Sequence, residues 1–262
     1  MSSVSPTTPA REGFQPPAHF APTTPARRVL YQVRLLLDLQ ANSIERDLRG
    51  LLAGFRGRLL DVGCGNSPYR HLLDPAVADY QGVDVPAAAD FGYQNPDTVY
   101  YDGHALPFPD ASFDAVLCTE VIEHIQDPTE IIREMHRVLK PGGRLLATIP
   151  WSARFHYQPF DYHRYSPSML QTLFAGYAAT EIRSRGTDLS SIASKIVVAC
   201  ARNVLALWPR TPGGWLAWPF RLVGAVLVSP VLAVALLLGH GGIRWGLGSA
   251  DDPLGHTIVA RK

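Results

Sequence analysis

The sequence predicts an α/β protein: an open, mainly parallel sheet with helices on both faces. Three observations carry this. Short apolar runs recur at residues 58–62, 80–85, 98–101, 113–118 and 144–149, each of a length that suits a strand buried on both faces. Between them the apolar positions shift to helical spacing, so strands alternate with helices. The first run, Arg58-Leu-Leu-Asp-Val62, passes directly into Gly63-Cys64-Gly65. That is a tight turn at the carboxyl end of a strand, where open α/β sheets hold their ligands.

Taken in order, residues 1–27 read as a disordered tail. Its first 26 residues contain six prolines, and PTTPAR occurs at Pro6–Arg11 and again at Pro22–Arg27. Proline and threonine at that density support neither a packed helix nor a buried strand, and the apolar core of a secretory signal is missing there. Residues 28–57 carry two helices: Val29, Val33, Leu36, Leu37 and Leu39 form one stripe, and Ile44, Leu48, Leu51 and Leu52 a second. Asn42 with Glu45 looks like the capping box between them.

Residues 58–186 form the core. Pro68 is expected to start the helix after the glycine turn. Asp127 is read as the N-cap of the helix after the fourth strand, with Pro128 at its first position and Glu130 completing the box. Ile131, Ile132, Met135, Val138 and Leu139 are its buried stripe, and Lys140-Pro-Gly-Gly143 stops it. Ser166 and Pro167 open a further helix. Ala178–Arg185 is the sixth strand, and Gly255–Arg261, within a closing segment 254–262, is the seventh.

Composition narrows the function. The 262 residues are 47% hydrophobic and 18% charged, enough for a packed core, and wholesale disorder is excluded. A net charge of +1 provides no basic field, so nucleic acid is not an expected partner. Cys64, Cys118 and Cys200 lie far apart with no C-x-x-C, which suits a reducing, cytoplasmic compartment and gives neither a disulfide framework nor a metal set.

A strand followed by G-x-G is a weak signal alone. Pro68 stands where a dinucleotide fingerprint needs its third glycine, and the lysine of a phosphate loop is missing, so a nicotinamide reading loses its support. Acidic residues instead close three successive strands: Asp61, Asp84 and Asp102, followed by Glu120 after the fourth. An acidic side chain at the second strand's end can take both hydroxyls of a ribose.

With LLDVGCG (59–65), GVD (82–84), DGHALPFPDASFDAV (102–116), EVIEHI (120–125) and EMHRVLKPGGRLLATIP (134–150), the chain resembles the class I S-adenosylmethionine-dependent methyltransferases, particularly the bacterial type 11 family. The resemblance covers residues 58–186 and implies a Rossmann-like sheet of seven strands, the last antiparallel. It also implies S-adenosyl-L-methionine as cofactor and S-adenosyl-L-homocysteine as product. Asp61, Gly63, Cys64 and Gly65 would line the methionine part, Asp84 and Val85 the ribose, Asp102, Gly103 and His104 the adenine, and Glu120 the amino-acid end.

After the fifth strand, residues 151–167 are dense in His, Tyr and Arg, and His156 and His163 are the candidate general bases for a small or lipid-linked acceptor, with oxygen as the favoured methylated atom. The alternative is a cofactor-binding or membrane-associated scaffold without turnover.

Residues 187–253 are expected to be an apolar helical insertion. Leu222–Leu238 is apolar apart from Gly224, Ser229 and Pro230, and spans about 25 Å as a helix, short of the roughly 30 Å hydrocarbon core. Trp208, Trp215, Trp218, Trp245, Arg210, Arg221 and Arg244 bracket it, the pattern of a membrane interface. From Ile192 onward seven basic residues stand against two aspartates. Because the seventh strand must rejoin the sheet, the insertion has to return to the side it left. The readings are a re-entrant or interfacial segment at the cytoplasmic membrane, with Ile192–Trp208 as amphipathic companion, or a soluble lid or dimer contact.

Overall fold

The computed structural model describes residues 22–93, 95–203 and 218–262. Seven strands, β1 (Gly57–Val62), β2 (Ala78–Asp84), β3 (Thr98–Tyr100), β4 (Phe113–Thr119), β5 (Leu139–Pro150), β6 (Ala179–Arg185) and β7 (Gly255–Arg261), make one sheet in the order β3-β2-β1-β4-β5-β7-β6. β1 to β5 pair in parallel, and β7 runs antiparallel to β5 and β6. This is the Rossmann-like sheet with one antiparallel strand.

Strand side chains alternate between faces, and two cores result. On one face α2 (Leu39–Leu52) buries Ile44, Leu48 and Leu52 against Leu59, Leu117 and Leu146. On the other, α3 (Thr129–Val138) and α4 (Pro167–Leu173) bury Ile131, Met135, Val138 and Leu170 against Leu60, Val116, Leu145 and Ile258.

Local chemistry shifts several expected boundaries. α1 (Pro25–Leu37) starts inside the segment read as tail: Thr24 accepts the Arg27 N–H at 3.2 Å and Pro25 sits in the first turn. In a Thr-Pro pair the hydroxyl and the fixed φ are what a helix start uses, so composition misled there. The cap of α2 is Asp38, accepting from Ala41 N at 3.0 Å, and not Asn42, which lies inside the helix and donates to the Leu35 carbonyl. Its supposed partner Glu45 is buried and accepts the Tyr31 hydroxyl at 2.6 Å.

Asp127 accepts from both the N–H and the hydroxyl of Thr129, one residue further along than expected, with Pro128 at the cap position. Leu139 opens β5 and does not belong to the helix, and the pairing of β4 with β5 shifts register across Lys140–Gly143. Pro68 opens no α-helix; a 3₁₀ turn at Arg70–Leu72 stands there instead. The first PTTPAR copy, Trp208, Arg210 and Trp215 lie outside the described residues.

The insertion is a helical pair, α5 (Asp188–Asn203) and α6 (Trp218–Trp245), the latter continuing through Pro230. Two glycines let α6 close onto its neighbours. A Cβ on Gly239 would meet Leu39 at 2.5 Å and Ala193 at 2.8 Å, and one on Gly242 would meet Ser190 at 2.3 Å. Arg46 on α2 donates to the carbonyls of Ile243 and Arg244 at 2.6 and 3.2 Å, satisfying the end of α6.

The sheet depends on the terminal strand, whose Ile258 is fully buried opposite Ala147 and Ile182. Ile258→Ala should lower the unfolding free energy by about 2–5 kcal/mol in urea titrations. A loss below about 0.5 kcal/mol, the range of ordinary surface changes, would show that β7 adds nothing to the core.

Candidate functional site

Parallel pairing aligns the carboxyl ends of β1, β2, β3 and β4, so the acidic residues that close them converge on one edge. Asp61 is 1% exposed. Its Oδ2 accepts the Tyr80 hydroxyl at 2.6 Å, and Oδ1 has no partner. Burial, outweighing the Tyr80 hydrogen bond and helped by the nearby charge of Asp84, pushes the carboxyl up to about 7. An unsatisfied buried carboxylate oxygen at this point is a ready partner for a cationic ligand.

Gly63 and Gly65 adopt φ of +68° and +50°, and a Cβ would meet Val121 at 2.4 Å and Tyr93 at 3.1 Å respectively. Only glycine gives both the turn and the close approach of backbone to a ligand. Asp84 is pinned from both sides, Oδ2 accepting from Gly65 N at 2.9 Å and Oδ1 from Val85 N at 2.8 Å, so the β2 carboxylate and the glycine turn are one rigid unit. The Cys64 thiol is buried 3.3 Å from Thr98 Oγ1, and burial pushes it up to about 12, which makes it a packing residue.

Asp102, Gly103 and His104 are exposed beyond β3. Asp102 accepts the His104 N–H at 2.9 Å, and the His104 ring pairs with Glu130 at 3.2 Å. Glu120 takes φ of +53° and binds the buried guanidinium of Arg185 at 2.8 Å, which also reaches Ser43 and the Ile149 carbonyl. That anchor ties β4, β5, β6 and α2 together beneath the edge. Arg185 was not singled out from sequence; an arginine in an exposed-looking strand gives no sign that its head is buried.

The loop after β5 folds over the same edge. Asp161, its side chain 1% exposed, accepts Arg164 through both oxygens at 2.6 and 2.8 Å, and accepts His156 through N–H and Nδ1 at 3.0 and 2.9 Å. Burial raises the carboxyl, but these donors win and hold it below the usual carboxylate range. Tyr157 packs edge-on to Phe91 at 5.2 Å and to His124 at 5.0 Å, so the loop bridges the segments after β2 and β4.

His156 lies at this corner with its ring 4.9 Å from His124. His163 points elsewhere, with Nε2 3.0 Å from the Gln126 carbonyl and its ring stacked on Tyr165 at 4.8 Å. The two histidines named together from sequence are therefore not brought together. The partner of His156 is His124.

Residues 60–147 match the family model described as a methyltransferase domain. Over 99 residues the chain is 40% identical to 27-O-demethylrifamycin SV methyltransferase of Amycolatopsis mediterranei, covering 34% of this chain and 36% of that one. Over 103 residues it is 39% identical to the ubiquinone biosynthesis O-methyltransferase of Xanthomonas oryzae, covering 36% and 42%. The chain thus spans well under half the length of these relatives. A solved phosphoethanolamine N-methyltransferase 2 of Haemonchus contortus shares the fold, with a TM-score of 0.50 at 16% identity, over 83% of this chain and 51% of that one.

The raised Asp61 carboxyl has a consequence for stability. Below about pH 4 it is protonated in folded and unfolded chains alike and changes nothing. Between pH 4 and 7 the unfolded chain gives up a proton that the folded one keeps, so stability falls as pH rises, and the loss is complete above the folded value near 7. Without ligand, the melting temperature of the natural protein relative to Asp61→Asn should fall as pH rises from 4 to 7. Parallel melting curves across that window would show that Asp61 titrates normally.

Proposed function

We propose that the protein is an S-adenosyl-L-methionine-dependent methyltransferase acting on a hydroxyl of a small or lipid-linked acceptor at the cytoplasmic membrane surface. One observation carries the reading: a buried carboxylate with a free oxygen, Asp61, lies at the end of β1, next to a glycine turn locked onto a second carboxylate, Asp84. That set suits a ligand with one cationic end and one ribose, and the sheet, the family match and the relatives that methylate oxygen support the choice.

When bound, the cofactor supplies a methyl group on a sulfonium, which is displaced in line. The protein's part is position and proton management. Asp61 would hold the amino-acid end and Asp84 the ribose hydroxyls, and Tyr157 with its aromatic neighbours would shield the edge from water. Asp161 fixes the His156 ring through Nδ1, leaving the other nitrogen to face the acceptor. His163, tied to Gln126, holds the loop.

The membrane part rests on α1 and α6. Leu222–Trp245 is long and apolar enough to cross a membrane, and Val226, Leu227, Val234 and Leu237 are among its exposed side chains. His240 Nε2 lies 2.9 Å from the Leu36 carbonyl, which sets α6 beside α1, where Val29, Leu30 and Val33 are exposed among Arg27, Arg28 and Arg34. Exposed apolar side chains with arginines beside them are what an anionic lipid surface holds. β6 and β7 are neighbours, so both ends of the insertion stay on one side.

Two experiments test the reading. Asp84→Ala should weaken S-adenosyl-L-homocysteine binding by about 1.5–3 kcal/mol in calorimetry. His156→Ala should keep that affinity and lose about 10²–10⁴ in turnover with acceptors from a labelled lipid and metabolite extract, while His163→Ala stays close to the natural rate. Unchanged affinity in folded Asp84→Ala would remove the cofactor assignment. For the membrane, the natural protein should float with anionic vesicles and release at high salt, and Leu227→Asp with Leu237→Asp should stay at the bottom of the gradient. Equal flotation of neutral and anionic vesicles would overturn the charge argument, and no flotation the membrane itself.

A further inference from the structure

The corner where the acceptor loop meets the end of β4 holds an unresolved set of polar groups. Glu123 is fully buried in the 3₁₀ turn Ile122–His124, and neither of its carboxylate oxygens has a hydrogen-bond partner. His124 follows it. Its Nδ1 lies 2.7 Å from the Phe160 carbonyl, so that nitrogen carries the hydrogen and Nε2 keeps its lone pair. Nε2 is buried, has no partner, and lies 3.6 Å from Glu123 Oε1, beyond hydrogen-bond reach.

His156 completes the set. Its Nδ1 lies 2.9 Å from both the Arg154 carbonyl and Asp161 Oδ2, which places the hydrogen on Nδ1 and a lone pair on the other nitrogen. One donor atom from each of Glu123, His124 and His156 lies within 4.8 Å of the others.

Both oxygens of Glu123 and Nε2 of His124 are thus buried polar atoms with no hydrogen-bond partner at one corner, which is expensive. The charge of Arg164 favours the Glu123 carboxylate without a hydrogen bond to it. Arg164 uses Nη1 and Nη2 on Asp161 and on the carbonyls of His163 and Arg154.

We propose that Glu123, His124 and His156 bind a first-row divalent cation of the Zn²⁺ class. Two imidazoles and one carboxylate are a donor set such ions take, with bonds of about 2.0–2.2 Å that put neighbouring ligand atoms roughly 3.4 Å apart. The 3.6 Å between Glu123 and His124 already fits that spacing. Asp161 on His156 and the Phe160 carbonyl on His124 are the outer partners that orient ligating imidazoles.

Three protein ligands leave a coordination position open. This part rests on the methyl-transfer reading: a hydroxyl bound there gives its proton to solvent water and its oxygen pair forms the new bond to the methyl carbon, while the pair of the broken carbon–sulfur bond stays on sulfur as a thioether. His156 then acts as a ligand in the loaded protein and not as the base, and the cation does the work of lowering the hydroxyl pKa.

The test is calorimetry with Zn²⁺ alone on the full chain after chelator treatment, together with the visible spectrum of the Co²⁺-loaded natural protein. One Zn²⁺ per chain is expected, with affinity reduced at least tenfold in Glu123→Gln and in His124→Ala and about 10–100-fold in Asp161→Asn. Co²⁺ should show the intense bands of four-coordinate, nitrogen-bearing sites. His156→Ala, at a half-buried loop position, gives the same reading if a buried variant fails to fold.

Less than one equivalent of Zn²⁺, or the same affinity in folded His156→Ala as in the natural protein, would overturn the site. Glu123 would then be a carboxyl held neutral by burial. S-adenosyl-L-homocysteine titrations run beside these separate the two readings: cofactor binding without Zn²⁺ binding sinks only the cation, and Zn²⁺ binding without cofactor binding sinks only methyl transfer.

Discussion

β7 hydrogen-bonds to β5 on one side and to β6 on the other, and much of the architecture follows from that double pairing. The chain leaves the sheet after Arg185 and must come back to Gly255, which is opposite Arg185 in register. Whatever the intervening residues do, they begin and end at one edge. That edge is also where Arg185 is buried, holding Glu120 and the Ile149 carbonyl, so the anchor of the carboxyl edge and the root of the insertion coincide. Removing one partner of such a buried pair leaves the other charge uncompensated, which gives the sheet a fixed geometry at the point where the site begins.

The carboxyl edge is an arrangement of charges that the protein alone does not balance. Asp84 is satisfied by backbone N–H groups, Asp161 by Arg164 and His156, and Glu120 by Arg185. Asp61 and Glu123 keep oxygens with no partner, and both have carboxyls pushed up by burial. Two unsatisfied acids, one near the end of β1 and one just beyond its neighbour β4, are a cost to the fold, and sites that give up stability for function look like this. They divide the edge between them: one end beside the glycine turn, the other beneath the histidine-rich loop.

The insertion poses a different balance. α6 packs on α2 and α5 through Ala235, Leu236, Gly239, Gly242 and Ile243, while Val226, Leu227, Val231, Val234 and Leu237 face outward. His240 on α6 meets the Leu36 carbonyl on α1, so two segments far apart in sequence come together there. Neither segment shows this alone, because α1 reads as an ordinary amphipathic helix whose stripe should face the core. In the structure Tyr31 and Leu35 take the buried positions and Val29, Val33, Leu36 and Leu37 do not.

The sequence by itself determined the strand order of appearance, the glycine turn, the helix opened by Ser166 and Pro167, and the terminal strand, since each rests on local periodicity or on capping chemistry within a few residues. It also determined that Asp61 and Asp84 meet at one edge, because parallel strands align their ends. Boundaries such as Asp38 for Asn42 were lost because two polar residues four apart cap equally well until the flanking turn chooses between them. Tertiary structure alone decided which histidines share a corner. His163 is turned to Gln126 and His156 to His124 by a loop whose path Asp161 and Arg164 fix, and no spacing in the chain encodes that path. It also decided that Glu123 is buried without a partner: a carboxylate in EVIEHI is polar in every sequence, and only the packing of β4 under the loop removes its water.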